Sequence, residues 1–313
     1  MSDQNRLGVF KTYKLYVGGK FPRSESGRVY EVTTKTSAAG AAGKGQWLAN
    51  APKSSRKDAR DAVVAARKAF GGWSGATAYN RGQVLYRVAE MLEGRKEQFV
   101  REVAASEGLS KSKAAAAVDA AIDRWVWYAG WTDKIGQIAG GANPVAGPFF
   151  NLSTPEPTGV VAVLAPQKSS FLGLVSVIAP VIATGNTAVV IASADAPLPA
   201  LSLGEVLATS DVPGGVVNIL SGVTAEIAAP LAAHQDVNAI DLTGADAALA
   251  KELEIAAADN LKRVLRPQPV DADGTSDSED WPASPGTHRL TAFLETKTVW
   301  HPTGALGAAG SSY

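Results

Sequence analysis

The sequence predicts an α/β fold that consists of a parallel sheet covered by helices and a small antiparallel arm. Short runs of almost continuous apolar residues recur at 159–165, 188–192, 216–220 and 239–242. Strands of this kind are buried on both faces. Helical segments alternate with them at 171–183, 198–209, 225–233 and 246–259. This alternation is typical of a parallel sheet, and ligands of such sheets bind at the carboxyl ends of the strands.

The composition is that of an ordinary globular protein, with 46% apolar and 19% charged residues in a chain of 313. This length allows one large domain or two modest ones. Thirty basic and thirty acidic side chains cancel, so no net field attracts nucleic acid or an anionic membrane. We therefore expect small molecules or other proteins as partners.

Several kinds of site are not expected. The sequence contains no cysteine, which removes disulfides, thiolate metal ligands and a thiolate nucleophile together. The three histidines, His234, His288 and His301, lack the spacing of metal ligands. The N-terminus lacks the apolar core of a signal peptide, and the apolar run 171–182 is too short to span a bilayer. These features predict a cytoplasmic protein without a metal site.

The N-terminal half is predicted to form an antiparallel pair followed by helices. Alternating side chains around Gly18 and Gly19 predict the pair within 14–32, and the segment 37–55, rich in Ala, Gly and Ser, is predicted as loop. Apolar residues at helical spacing predict three helices, over 57–72, 80–99 and 111–135. Gly and Pro then punctuate 140–156, where a short edge or hairpin strand is predicted at 149–154.

The pattern of strands and helices stops near residue 265. Residues 267–287 are rich in proline, glycine and acidic side chains, and we predict a flexible linker with a reach of roughly 25 Å. The alternating segment 289–300 is predicted as a strand, and the tail 303–313, rich in Gly, Ala and Ser, as disordered.

Four consecutive motifs resemble the cofactor domain of NAD(P)-dependent aldehyde dehydrogenases. They are Thr-Gly-Val-Val-Ala-Val-Leu-Ala-Pro at 158–166, Ala-Pro-Val-Ile-Ala-Thr-Gly-Asn-Thr at 179–187, Pro-Gly-Gly-Val-Val-Asn at 213–218 and Leu-Thr-Gly at 242–244. The segment 124–131 and the two helices before it resemble the same family's N-terminal half. The resemblance covers about 15–264 and implies a Rossmann-like domain. Several motifs in the family's order make it specific.

The C-terminal strand carries a second resemblance. Phe-Leu-Glu-Thr-Lys-Thr-Val-Trp at 293–300 resembles the family's last strand, which joins the hairpin matched here by 140–156 in an oligomerisation arm. The family's catalytic domain, which normally lies between these points, is missing, and the linker takes its place. The resemblance thus implies a cofactor-type domain at 1–139 and 157–266, an arm at 140–156 and 289–302, a linker at 267–288 and a tail at 303–313.

Departures from the family fall on the chemistry. Family members use a cysteine thiolate and a glutamate base, both within or at the start of the absent domain. Their oxyanion donor is an asparagine after Pro-Trp, where this chain has Pro166, Gln167 and Lys168. Lys168 therefore replaces the donor, and the resemblance implies no catalytic residue in this chain.

The cofactor contacts that the resemblance implies are also altered. The family's Lys-Pro-Ser-Glu run reads Ala-Ser-Ala-Asp at 192–195, which leaves only Asp195 for a ribose. Next to the family's pyrophosphate site, Ala245 lacks a hydroxyl, Leu249 adds bulk, and Asp246 would repel phosphate. The resemblance leaves six vestigial cofactor-binding positions: Pro166, Lys168, Asp195, Gly222, Thr243 and Gly244. We therefore expect NAD or NADP to bind weakly or not at all.

Two sharper interpretations of single residues are open. Lys168 next to Ser169 and Ser170 would suit a serine–lysine hydrolase. Adjacent side chains usually point apart, however, so we favour the interpretation that the three are surface residues without a catalytic role. His234 follows an alanine-rich helix, where it is more simply a donor to the last carbonyl groups than a catalyst.

Three functional hypotheses result. The first is a catalytically inactive subunit that assembles with a full-length aldehyde dehydrogenase or with itself, through 140–156 and 289–302. The second is residual binding of a nucleotide by a sensor or weak reductase. The third is an aldehyde-oxidising component that works only when a partner supplies the catalytic domain.

Overall fold

The computed structural model describes residues 9–35, 45–267 and 279–304. Its strands are β1 Val29–Thr33, β2 Trp47–Pro52, β3 Gly141–Asn143, β4 Phe149–Pro157, β5 Val160–Leu164, β6 Thr187–Ile191, β7 Val217–Leu220, β8 Ala239–Asp241, β9 Arg263–Leu265 and β10 Leu294–Pro302. Its helices are α1 Arg56–Gly75, α2 Ala78–Glu93, α3 Lys96–Glu107, α4 Lys111–Trp131, α5 Ile135–Ala139, α6 Leu172–Ala183, α7 Leu198–Ala208, α8 Thr224–Ala232, α9 Ala247–Ala258 and α10 His288–Thr291.

The predicted parallel sheet is confirmed, with the strand order β7-β6-β5-β8-β9. Each predicted strand of this sheet, and each helix that alternates with those strands, lies within a few residues of its expected place. The fifth strand, β9, was not predicted because it starts with the charged Arg263 and, unlike β8, has no fully buried residue. Helices α6 and α7 and the N-terminal helices α2 to α4 pack on one face, while α1, α8 and α9 pack on the other. The outer edge of β7 is paired with Tyr16, whose N–H and C=O both bond Ile219.

Three predictions for the N-terminal half were wrong in detail. Segment 37–55 contains β2, which pairs with β1 in an antiparallel sheet; alanines on its inner face conceal the alternation that marks a strand. The pair expected within 14–32 shrinks to a single bridge between Val17 and Lys20. The helix expected over 80–99 is two helices, since α2 ends before Gly94 and α3 starts at Lys96.

The antiparallel arm is a sheet with the order β10-β4-β3. Every residue of β10 pairs with one of β4, from Leu294 opposite Pro157 to Pro302 opposite Phe149. The strand starts later than predicted, because 288–291 form the short helix α10. Residues 305–313 of the predicted tail lie outside the described residues.

Part of the predicted linker is packed against the domain. Residues 268–278 lie outside the described residues, but Trp281 is buried and the Arg124 guanidinium donates to the carbonyl groups of Trp281 (2.6 Å) and Ala283 (3.0 Å). The prediction of a flexible segment is therefore wrong for 279–287. Composition alone did not show that one tryptophan would anchor this stretch.

Candidate functional site

The candidate site is the edge of the parallel sheet where the strands end. Strands β5 and β8 are neighbours in this sheet. From β5 the strand order runs outward to β6 and β7 on one side, and from β8 to β9 on the other. Open α/β sheets bind ligands at such a switch point in the strand order. The loops after these two strands touch, because Gly244 N–H donates to Leu164 O (2.9 Å). A Cβ on Gly244 would lie 2.0 Å from Ala165 O. Glycine is needed here for a contact between two loops of the protein itself.

The loops after β5 and β6 are joined by Gln167. Its side chain donates to Ala165 O (2.8 Å) and accepts from Ala194 N–H (3.0 Å), while its carbonyl accepts from the Ser193 hydroxyl (2.9 Å). Pro166 is buried, whereas Lys168 and Asp195 are exposed on these two loops. Lys168 and Asp195, two of the six predicted cofactor positions, are thus accessible to solvent. They lie beside the hydrogen bonds of Gln167, which the sequence did not suggest.

A carboxylate from α3 occupies the start of α6. One oxygen of Glu107 accepts from both the N–H and the hydroxyl of Ser170, at 2.7 Å each. Burial raises the pKa of Glu107, and hydrogen bonds from Ser170 and Phe171 oppose that rise. A helix N-terminus is the usual place for a bound anion. In this chain its donors already face a side chain of the protein.

The same contacts bear on the serine–lysine interpretation. The Ser170 hydroxyl is buried and donates to Glu107, and the Ser169 hydroxyl accepts from Gly173 N–H (2.9 Å). In a serine–lysine hydrolase the lysine amine would accept from the hydroxyl. Here the Ser170 hydroxyl is held by a carboxyl group of α3, and the Ser169 hydroxyl accepts a backbone N–H of α6.

A second carboxylate caps α9, the helix that follows β8. Asp246 is its N-cap, and the side chain accepts from Leu249 N–H (2.8 Å). The predicted position of Asp246 at this helix terminus is confirmed. Since a carboxyl side chain already occupies each of the two helix N-termini beside β5 and β8, the residues present do not fit the pyrophosphate of a dinucleotide.

A buried ion pair at the end of β8 was not predicted. Arg289, from α10, donates to the Asp241 carboxylate (2.9 Å), the Thr243 hydroxyl (3.0 Å) and the Glu279 carboxylate (2.5 Å). The Arg289 side chain is 5% exposed and that of Asp241 is 0% exposed. Thr243, one of the predicted cofactor positions, is therefore engaged within the protein. The signal available in the sequence was an aspartate inside an otherwise apolar strand.

The surroundings of Arg289 are aromatic and charged. The Trp281 ring lies 5.5 Å from its guanidinium carbon. Burial acts to lower the pKa of Arg289, whereas the carboxylates of Asp241 and Glu279 act to raise it. The carboxylates have the larger combined effect, so the pKa of Arg289 is raised. Burial raises the pKa of the nearby Tyr128 to about 12. This cluster binds the segment after residue 278 to the sheet.

The remaining predicted residues lie apart from this cluster. Gly222, at the end of β7, has a φ of +139° and packs against Ser54. Close to it, Tyr30 has a raised pKa because of burial and of Asp195. The His234 ring accepts the Asp236 N–H (3.1 Å) rather than donating to a helix carbonyl, which corrects the expected contact; burial lowers its pKa.

Within the described ranges (9–35, 45–267 and 279–304) the structure has neither a candidate metal site nor a candidate membrane span. No group of three or more His, Cys, Asp or Glu side chains could hold a metal ion. Among the helices of those ranges, none is both long and apolar enough to cross a membrane.

The sequence profile of the aldehyde dehydrogenase family matches residues 31–266. The chain belongs to the aldehyde dehydrogenase family. The match ends where the alternation of strands and helices ends, one residue after β9. The resemblance inferred from the four motifs is thereby confirmed.

Aldehyde dehydrogenases of known sequence and structure align with the same part of the chain. Retinal dehydrogenase 2 of Gallus gallus is 33% identical over 262 residues, 81% of this chain and 48% of that protein. Cytosolic aldehyde dehydrogenase 1 of Elephantulus edwardii is 30% identical over 259 residues, 80% and 49% of the two chains. The NAD+ complex of a Bacillus cereus aldehyde dehydrogenase superposes with a TM-score of 0.74 at 25% identity, covering 81% and 50%. This chain spans about half the length of the curated relatives it matches.

Proposed function

We propose that this chain is a cytoplasmic, catalytically inactive aldehyde dehydrogenase-like subunit with a structural or regulatory role in an oligomer, formed with a full-length aldehyde dehydrogenase or with itself. The observation that carries the proposal is the pair of carboxylates at the sheet edge. Glu107 and Asp246 occupy the two helix N-termini that would otherwise receive the phosphates of a dinucleotide.

Two further observations support an inactive site. The sequence contains no cysteine, so the thiolate of the family's reaction has no counterpart among its residues. The Thr243 hydroxyl accepts from Arg289 and donates to Asp241. The Gly244 N–H donates to Leu164 O. These groups are not free to bind a cofactor without breaking contacts of the fold.

The arm supports a role in assembly. It is a sheet of three strands with exposed Phe150, Val299 and Trp300 near its far end. A small sheet gains stability when its apolar side chains are covered. Association through 140–156 and 289–302 would cover them.

Calorimetric titration tests the inactive site. We expect no heat of binding from NAD, NADP or ATP at millimolar concentrations. Saturable binding would contradict this part of the proposal and favour the residual nucleotide-binding protein. Reduced cofactor formed at this subunit's own site, after a full-length partner is added, would favour the component that borrows a catalytic domain.

Removal of the arm strand tests assembly. A chain that ends at Glu295 keeps the buried Arg289 and Phe293 but loses most of β10. We expect it to fold and to stop co-purifying with a full-length aldehyde dehydrogenase or with a second copy of itself. Unchanged assembly of the shortened chain would overturn the structural role.

A further inference from the structure

Strand β10 forms one edge of the arm, and its outer side pairs with no strand in the described part of the chain. It runs for nine residues beside β4 without a shift in register. Its side chains are exposed after Leu294, with Val299 43% and Trp300 57% accessible. A long, regular and uncovered edge strand is a template for another strand.

The ends of the β10–β4 ladder fix the direction of its main-chain groups. Thr158 N–H donates to Phe293 O (3.2 Å) at one end, and Thr303 N–H donates to Pro148 O (2.8 Å) at the other. Bonded and non-bonded pairs alternate in an antiparallel ladder. The odd-numbered residues of β10 therefore bond β4, and the even-numbered residues turn their N–H and C=O groups outward.

The prolines of β4 agree with this assignment. Pro155 and Pro157 stand opposite Thr296 and Leu294, which are even-numbered and need no N–H from β4. The outward groups belong chiefly to Thr296, Thr298 and Trp300. The opposite edge of the arm is less suited to pairing, because β3 has three residues and Pro144 follows it.

We propose that a second copy of this chain pairs with the outer edge of β10, antiparallel, about a two-fold axis at Thr298. This inference rests on the proposed structural role. The axis places Thr298 opposite its own copy and Thr296 opposite Trp300 of that copy, so the outward groups of these three residues meet outward groups. Only the last pair, Leu294 with Pro302, is incomplete, because proline has no N–H. The two arm sheets become one continuous sheet, an isologous contact in which each copy contributes the same strand.

Side chains select this register among those the backbone permits. With the axis at Thr298, Glu295 faces His301 of the other copy, and the contact occurs twice. An axis one residue earlier sets Lys297 against its own copy, and like charges directly opposite each other are unfavourable. An axis at Thr296 uses only the first part of the strand. The Thr298 register also covers Trp300 with a β-branched residue.

Cysteine cross-linking tests the register, and the natural absence of cysteine leaves no background. In the proposed pair the two Thr298 Cα atoms lie about 5.5 Å apart, within the range that a disulfide spans. We expect Thr298→Cys to form a covalent dimer under mild oxidation. The matched control, Thr296→Cys on the same face, should not, since its Cα atoms lie about 13 Å apart along the strand.

Light scattering on the same proteins gives the second measurement. Thr298→Pro removes an N–H that faces away from β4, so the arm keeps its own ladder. We expect a dimer for the natural chain and a dissociation constant raised about tenfold or more in the proline variant. A monomeric natural chain, or a Thr296→Cys chain that cross-links as readily as Thr298→Cys, would overturn the inference.

The outcomes separate this inference from the proposed function. If Thr298→Cys fails to cross-link while the natural chain still co-purifies with a full-length aldehyde dehydrogenase, the structural role stands and self-pairing fails. If the natural chain neither self-associates nor binds such a partner, both fail.

Discussion

Arg289 is the residue on which the position of the C-terminal segment depends most. Its guanidinium neutralises the buried Asp241, and removal of one member of a buried ion pair leaves the other charge uncompensated. We expect Arg289→Met to lower the free energy of unfolding by about 3–5 kcal/mol in urea titrations.

Arg263 supplies the matched control for that change. It pairs with Glu295 at 2.7 Å, but both side chains are substantially exposed, so Arg263→Met should cost about 1 kcal/mol or less. Equal losses for the two variants would show that the buried Arg289–Asp241 pair contributes no more to stability than the exposed Arg263–Glu295 pair. Sequence reasoning could locate the strand that carries Asp241, but its partner lies 48 positions away and no pattern links the two.

Glu107 makes a pH-dependent contribution whose sign follows from its environment. Burial raises the pKa of its carboxyl above the usual value of 4.5. The contribution to stability is therefore fully present below that value and is lost as pH rises through the folded-state pKa. Glu107→Gln lacks this titration, so its stability relative to the natural chain should rise as pH increases above the usual carboxyl pKa of 4.5.

Urea unfolding at several pH values checks this expectation. Glu97→Gln is the control, since Glu97 lies on the same helix with its side chain 70% exposed, and this variant measures what the loss of a surface carboxyl group from α3 does to stability. A Glu107→Gln difference that falls as pH rises would contradict the assigned sign.

At the scale of elements, Arg81 joins the ends of two helices. Its guanidinium donates to Ala183 O (3.2 Å) at the end of α6 and to Ala76 O (2.5 Å) just past the end of α1. Burial lowers the pKa of Arg81. A cation at a helix C-terminus is stabilised by the helix dipole, and this one serves two helices.

We expect Arg81→Met to lower the free energy of unfolding by about 2–4 kcal/mol, because the carbonyl groups at the ends of two helices lose their charged donor. Arg81→Lys should recover part of the loss, since an ammonium keeps the charge but cannot bond both helix ends. Thermal and urea unfolding of the two variants measure this. A loss below about 1 kcal/mol for Arg81→Met would mean that water replaces the guanidinium at little cost.

Sequence periodicity predicted the elements whose burial is uniform and missed those whose role is set by tertiary contacts. Strand β5 and helix α6 were predicted nearly to the residue because every position in them is buried and nearly every one is apolar. Strand β2 was taken for loop, since its inward positions are alanines. In the candidate site, the sequence showed the acidic N-terminus of α9 through Asp246, but it did not show that Glu107 lies at the start of α6, because that contact joins distant segments.

At the scale of the whole molecule, the C-terminal segment divides into a part that belongs to the domain core and a part that belongs to the arm. Leu290 and Phe293 are buried against the domain, whereas β10 is exposed beyond Leu294. A chain that ends at His288 should therefore lose its cooperative unfolding transition, while a chain that ends at Glu295 should keep it. Circular dichroism melts and limited proteolysis distinguish the two; equal melts would show that 289–293 contribute nothing to the core.

The contact of Phe293 with the sheet also sets an order of events during synthesis. Its carbonyl group accepts from Thr158 N–H and from the Asn186 side chain (2.9 Å), which are made more than a hundred residues earlier. Until Arg289 and Phe293 have been synthesised, Asp241 lacks this counter-ion and the sheet lacks part of its cover. Long-range contacts of this kind slow folding and prolong the exposure of apolar surface.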